Sequence, residues 1–121
     1  MNQISSPKSR EGFLLWFIKI IAGLLILAVI SVHLVINHLT APGGLLSYID
    51  VVAYYQNPFV IFMEAFFLVV VITHSLLGTR SILLDLHLSD QVMKIVDAFI
   101  LLLGIFSISY GIWLLFAVSN V

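Results

Sequence analysis

Three apolar runs separated by short polar stretches leave this chain essentially one way to fold. They extend roughly from Phe13 to Leu39, Pro58 to Gly78 and Val92 to Val118, and each reaches the ~20 residues that a helix needs to cross ~30 Å of hydrocarbon. Lipid offers no hydrogen bond to an unpaired backbone, so a spanning segment must be a helix or part of a closed barrel. The apolar/polar alternation of barrel strands is missing. The expected fold is therefore all-α, an integral membrane three-helix bundle forming a single domain over residues 1–121, with helices at about 13–39, 58–79 and 92–118. Composition agrees, since 62% hydrophobic and 9% charged residues lie far from the balance of a soluble domain.

The cations orient the bundle. Lys8, Arg10 and Lys19 precede or enter the first span, Arg80 and Lys94 flank the second connection, and residues 40–57 carry no lysine or arginine. By the positive-inside rule, residues 1–12 form a cytoplasmic arm, 40–57 an outer loop and 80–91 a cytoplasmic loop, with the C-terminus outside. The first run is longer than the apolar stretch of a typical cleaved signal and ends among His33, Asn37 and His38, so it is expected to be retained. The expected location is the cell inner (cytoplasmic) membrane, as a multi-pass protein. A net charge of −1 says little about partners, and no nucleic acid is expected among them. The chain has no cysteine, which excludes disulfides, covalent c-type haem attachment and thiolate-bound iron–sulfur clusters within it. Any metal chemistry must use histidine.

The outer loop begins with the turn signal Thr40-Ala-Pro42-Gly43-Gly44 and continues through an apolar segment, 45–55, whose Tyr48, Tyr54 and Tyr55 suit the headgroup level. Asn57-Pro58 then opens the second span, because proline is tolerated in a first helical turn. In the third span, Gly104, Ser107 and Gly111 make a small-residue stripe that permits close helix approach, either inside this bundle or against a partner subunit.

Ionisable groups inside the spans are costly and therefore candidates for function. A 1.5 Å rise per residue puts His33 ~10 Å from the middle of the first span toward the outside, and His74 ~8 Å from the middle of the second toward the cytoplasm. Ligand nitrogens lie only ~2 Å from a first-row metal, so imidazoles ~20 Å apart cannot share one iron. If both bind haem, this chain supplies half the ligands of two haems and another subunit supplies the rest. The alternative for His74 is a buried histidine hydrogen-bonded to a neighbouring helix. Gly78, one turn further along the same face, leaves room for the edge of a flat macrocycle, and Arg80 lies near the boundary where a propionate is neutralised. His38 is interfacial, or the ligand in place of His33; His87 is solvated. Glu64, ten residues before His74, lies near the depth of His33 and must be paired, protonated or turned to a polar cavity. A structural hydrogen bond, a proton path and contact with an outer haem are its three readings. Arg80 and Asp85 by default end the second helix in water.

The pattern His74-x3-Gly78-x-Arg80-x4-Asp85 in the second of three spans resembles the membrane-anchor (cytochrome b) subunits of succinate dehydrogenase and fumarate reductase, the succinate:quinone oxidoreductases. Trp16-x2-Lys19-x3-Gly23 is similar to the start of the first helix in that family, with lysine where arginine is usual. The resemblance implies His74 as axial ligand of the haem b nearer the cytoplasm, His33 as the first-helix ligand of the two-haem subgroup, and Arg80 and Asp85 near propionates or quinone. Leu86 follows Asp85 where some members carry a quinone-binding tyrosine, and the serine and arginine usual near the start of the first helix have no secure counterpart here. The implied function is a non-catalytic anchor that pairs with a second membrane-anchor subunit and docks an iron–sulfur subunit and a flavoprotein subunit on the cytoplasmic side, in contact with lipid and quinone. Two rivals stand beside it: a homodimeric dihaem transmembrane cytochrome b without succinate-oxidising partners, and a haem-free scaffold or transporter component.

Overall fold

A computed structural model describes residues 11–121, and all but the last two positions of the expected cytoplasmic arm, including Lys8 and Arg10, lie outside the described residues. Helix α1 spans Phe13–Leu34 and widens at its end into a π-turn, Val35–Leu39, where the Thr40 amide donates to the Val35 carbonyl at 3.0 Å. A 3₁₀ turn at Pro42–Gly44 reverses the chain through Gly43 and Gly44, both at φ +76°, a region open to residues without a Cβ.

The outer segment carries a short helix, α2 (Tyr48–Tyr54). Ser47 caps it in a reciprocal box with Asp50, which satisfies two otherwise orphaned amides. Helix α3 (Pro58–Asp85) starts behind an Asn57 cap with proline in its first turn, and α4 (Asp90–Ser119) starts behind a Ser89 cap. All three long helices are long and apolar enough to cross a membrane, and the described residues contain no strand.

The second long helix continues to Asp85, so the connection expected over 80–91 contracts to residues 86–89. The apolar run ends before the helix does because residues 80–84 still have partners: Arg80 pairs with Asp97 on α4 and Leu84 is buried. The chain turns only at His87, which adopts φ +53°, a conformation that histidine takes up more readily than bulky or β-branched residues.

Helix α3 occupies the middle, packed on α1 along one side and on α4 along the other. A Cβ added at Gly104 would stand 3.0 Å from the Leu76 side chain, and one at Gly111 would overlap Leu68. The small-residue stripe of α4 is thus used within the chain, where it lets α4 approach α3. Few side chains are enclosed among the described residues: Ala22, Val60, Val70, Leu84, Met93 and the carboxylate Glu64. Leu24, Leu27, Leu102 and Phe106 point outward, as a helix surface solvated by lipid or by another subunit requires. Hydroxyls on the spans without a neighbour turn back on their own helix, Ser31 onto the Leu27 carbonyl and Thr79 onto the Ser75 carbonyl, a local solution to the lack of water.

Gly111→Val is expected to force α3 and α4 apart and lower stability by about 1–3 kcal/mol, the cost of overpacking a close contact. Thermal unfolding of the protein in detergent micelles measures this, and an unchanged midpoint would mean that α4 does not rest on α3 at that position.

Candidate functional site

The central helix turns His74 and Ser81, two turns apart, toward α1. His74 Nδ1 lies 3.0 Å from the backbone carbonyl of Lys19. A carbonyl only accepts, so Nδ1 carries the proton and, in the neutral ring, Nε2 keeps its lone pair. Nε2 has no hydrogen-bond partner among the described residues and is not sealed inside the protein. The ring rests on bare backbone: a Cβ added at Gly23 would be 3.0 Å from His74 Cε1. Gly78, one turn beyond His74, borders open space, for a Cβ there would meet nothing within 4 Å.

One side chain joins the same two helices just beyond the imidazole. Lys19 Nζ donates to both Glu11 carboxylate oxygens at 3.0 Å and to Ser81 Oγ at 2.5 Å, while the Ser81 hydroxyl donates to Glu11 Oε1 at 2.5 Å. The Ser81 hydrogen bond, reinforced by Lys19, holds the Glu11 carboxyl below its usual range. Arg80 faces the other way and grips Asp97 of α4 bidentately, Nε to Oδ1 at 2.6 Å and Nη2 to Oδ2 at 3.0 Å. Its third nitrogen, Nη1, is buried without a hydrogen-bond partner. Asp85 closes α3 in an exposed position.

At the other end of the bundle, His33 of α1 and Glu64 of α3 come together, with Nδ1 3.2 Å from Oε1. The distance is that of an ion pair, but the N–H does not aim at the carboxylate, so Nδ1 makes no hydrogen bond. The His33 ring lies against Phe67 with centroids 6.0 Å apart. Tyr54 of α2 reaches Glu64 Oε1 at 3.5 Å, the long limit of a hydrogen bond. Burial, and next the Glu64 charge, raise Tyr54 and Tyr55 above the usual phenol range, which keeps both hydroxyls as donors. Glu64 also borders a largely apolar cavity of about 460 Å³ between α2, α3 and α4, lined among others by Tyr48, Tyr55, Phe67, Gly111 and Val118. His38 is exposed and bonded through Nδ1 to the Gly44 carbonyl at 3.2 Å, which ties it to the turn. His87 is exposed in the short connection.

Ten residues of α3 separate Glu64 from His74, ~15 Å of helix, so the two imidazoles sit at two distinct levels. Among the described residues no three histidine or carboxylate side chains converge on a common point. Each level can offer a single imidazole nitrogen to a metal that takes its other ligands from elsewhere. The bonding roles of the Lys19 carbonyl, Glu11 and Asp97, and the contact of Gly23 with the imidazole, are not assigned from the sequence. A backbone acceptor has no side-chain signature, and the pairing partners lie 8 to 70 positions apart. The spacing Lys19-x3-Gly23, one helical turn, is the signal that marks those two residues.

The family model described as succinate dehydrogenase/fumarate reductase transmembrane subunit matches residues 2–118. The chain is also 30% identical over 118 residues to the succinate dehydrogenase hydrophobic membrane anchor subunit of Archaeoglobus fulgidus, covering 98% of this chain and 100% of that protein.

The Glu11 clamp gives the bundle a pH dependence. Its carboxyl is lowered from 4.5, so the stabilisation is complete above that value and is lost as pH falls through the lowered one. Between about pH 6 and about pH 3 the unfolding midpoint of the wild type in detergent should fall further than that of Glu11→Gln. Parallel pH profiles would show that the clamp carries no stability.

Proposed function

The chain belongs to the succinate dehydrogenase/fumarate reductase transmembrane-subunit family and is a membrane anchor, and on that premise we propose that it ligates haem b and helps to form a quinone site. His74 would hold the haem at one level and His33 the haem at the other, each as one of two histidine ligands, the second of which another anchor subunit would supply. A bond from Nδ1 to the Lys19 carbonyl is what a packed histidine makes as well as a ligating one. The observation that carries this reading is that Nε2 is left without a partner among the described residues and is not enclosed, as in ligating histidines that donate their other ring N–H to a carbonyl. At the second level Glu64 stands 3.2 Å from His33 Nδ1 without a hydrogen bond, so His33 is assigned by its place in α1 and not by a bond of its other ring nitrogen.

Haem bound at these positions would supply one-electron transfer through the membrane. The protein residues provide ligation, burial and charge. The open space at Gly78 accommodates a macrocycle edge, and the unpartnered Arg80 Nη1 is a donor toward a propionate or a quinone oxygen, with Asp85 near the quinone. In this reading Arg80, Asp85 and the N-terminus face the cytoplasm, where the iron–sulfur and flavoprotein subunits dock, and the C-terminus lies outside the inner membrane. The chain performs no reaction alone. It positions cofactors between the soluble subunits and membrane quinone.

Haem quantification per purified complex, in the wild type, His74→Ala and His33→Ala, tests this. Two haems in the wild type and loss of a different one in each variant are expected. One haem that survives the His33 change and vanishes with the His74 change would remove the second level from the proposal. A complex without b-type absorption after dithionite would remove haem ligation altogether and favour a haem-free scaffold, and isolation without flavin and iron–sulfur subunits would favour a free-standing cytochrome.

A further inference from the structure

We propose that Gly23 is a positioning residue for the His74 ligand, acting by leaving the Lys19 carbonyl uncovered so that it can receive the imidazole N–H; this rests on the haem-ligation reading above. In a regular α-helix the Lys19 carbonyl already accepts the amide of the residue four positions on, Gly23 itself. It keeps a second lone pair, but that lone pair is normally covered, because the Cα–Cβ bond of each helical residue tilts toward the N-terminus and its side chain lies over the preceding turn. At position 23 there is no side chain, and the space is filled by the His74 ring. A Cβ placed there would meet Cε1 at 3.0 Å, Nδ1 at 3.4 Å and Nε2 at 3.9 Å. The contact that glycine permits and the 3.0 Å bond to the Lys19 carbonyl are therefore one arrangement: the ring reaches the acceptor by lying where a side chain would be.

Neighbouring contacts hold α1 against α3 around the ring. Lys19 Nζ is bonded to Ser81, on the α3 face that carries His74, and so holds the register of α1 against α3 on the side toward the Glu11 clamp. Val70, one turn before His74, is buried at the same seam. A methyl group at position 23 requires the contact with the imidazole to give by a few tenths of an ångström, and yielding on the side of the ring lengthens the Nδ1 bond. A carbonyl acceptor on Nδ1 makes the ring a more basic ligand, and a more basic ligand favours ferric over ferrous iron. Loss of the bond has the opposite effect on the haem at this level and no direct effect on the haem at the His33 level.

The test is a redox titration and low-temperature EPR spectrum of the purified complex carrying Gly23→Ala, Gly23→Leu or Gly104→Ala. Gly104→Ala is the control, since it introduces an equally tight contact, 3.0 Å to a Leu76 methyl, between α3 and α4. For Gly23→Ala we expect haem retained at both levels, the haem lost in His74→Ala shifted to higher potential with an altered low-spin signal, and the other haem unchanged. For Gly23→Leu we expect loss of the haem at the His74 level. A wild-type potential and spectrum in Gly23→Ala, or the same shift in Gly104→Ala, would overturn the role assigned to Gly23 while leaving ligation by His74 in place. Retention of every haem in His74→Ala would overturn the ligation reading, and the inference with it.

Discussion

Polar groups in a hydrocarbon slab have no water to turn to, and the architecture of this chain follows from where α3 finds substitutes. Its imidazole takes a carbonyl of α1, its serine shares a lysine and a carboxylate with the start of α1, and its arginine takes the aspartate of α4. Its carboxylate stands against a histidine of α1 and a tyrosine of α2. A helix with polar groups on opposite sides needs a neighbour on each, which is why α3 lies between α1 and α4. The glycines of α1 and α4 make the approach close enough for those bonds to form, since packing and hydrogen bonding, not the hydrophobic effect, hold helices together in lipid.

The two histidine levels are built differently. His74 is held by a backbone carbonyl, an acceptor that neither ionises nor changes rotamer, and its ring is fixed by contact with a bare helix surface. His33 stands beside a carboxylate whose other side borders a cavity. One level is rigid and neutral in its support, whereas the other couples an imidazole to an ionisable group. In the proposed function this asymmetry gives each ligand a distinct electronic surrounding within a single short chain. Each level also contributes only one nitrogen, so the proposed ligation needs a second subunit to complete it.

The three spans, their helical state and the candidate histidines at two depths were all legible in the amino-acid sequence, because length, hydropathy and rise per residue are local quantities. The outer segment was legible only as an apolar stretch with tyrosines at headgroup level; that it forms α2 behind a Ser47 cap came from the structure. The end of α3 was not, since the helix outlasts its apolar run only where Arg80 and Leu84 have α4 to pack on. Gly78 attracted notice by its distance from His74 along the chain, yet the glycine in contact with that ring is Gly23, 51 positions earlier and on another helix.

By itself the sequence determined that the chain crosses lipid as helices and that imidazoles sit within the spans at separate levels, since burying unpaired backbone or isolated ionisable groups in hydrocarbon is too costly to be incidental. Tertiary structure alone decided which helix lies in the centre, which nitrogen of His74 carries the proton, and that Lys19 serves through its backbone at one place and its ammonium at another. The physical reason is that a hydrogen bond to a carbonyl depends on what covers that oxygen, and only the packing of α1 on α3 settles whether a side chain or a ring occupies the space.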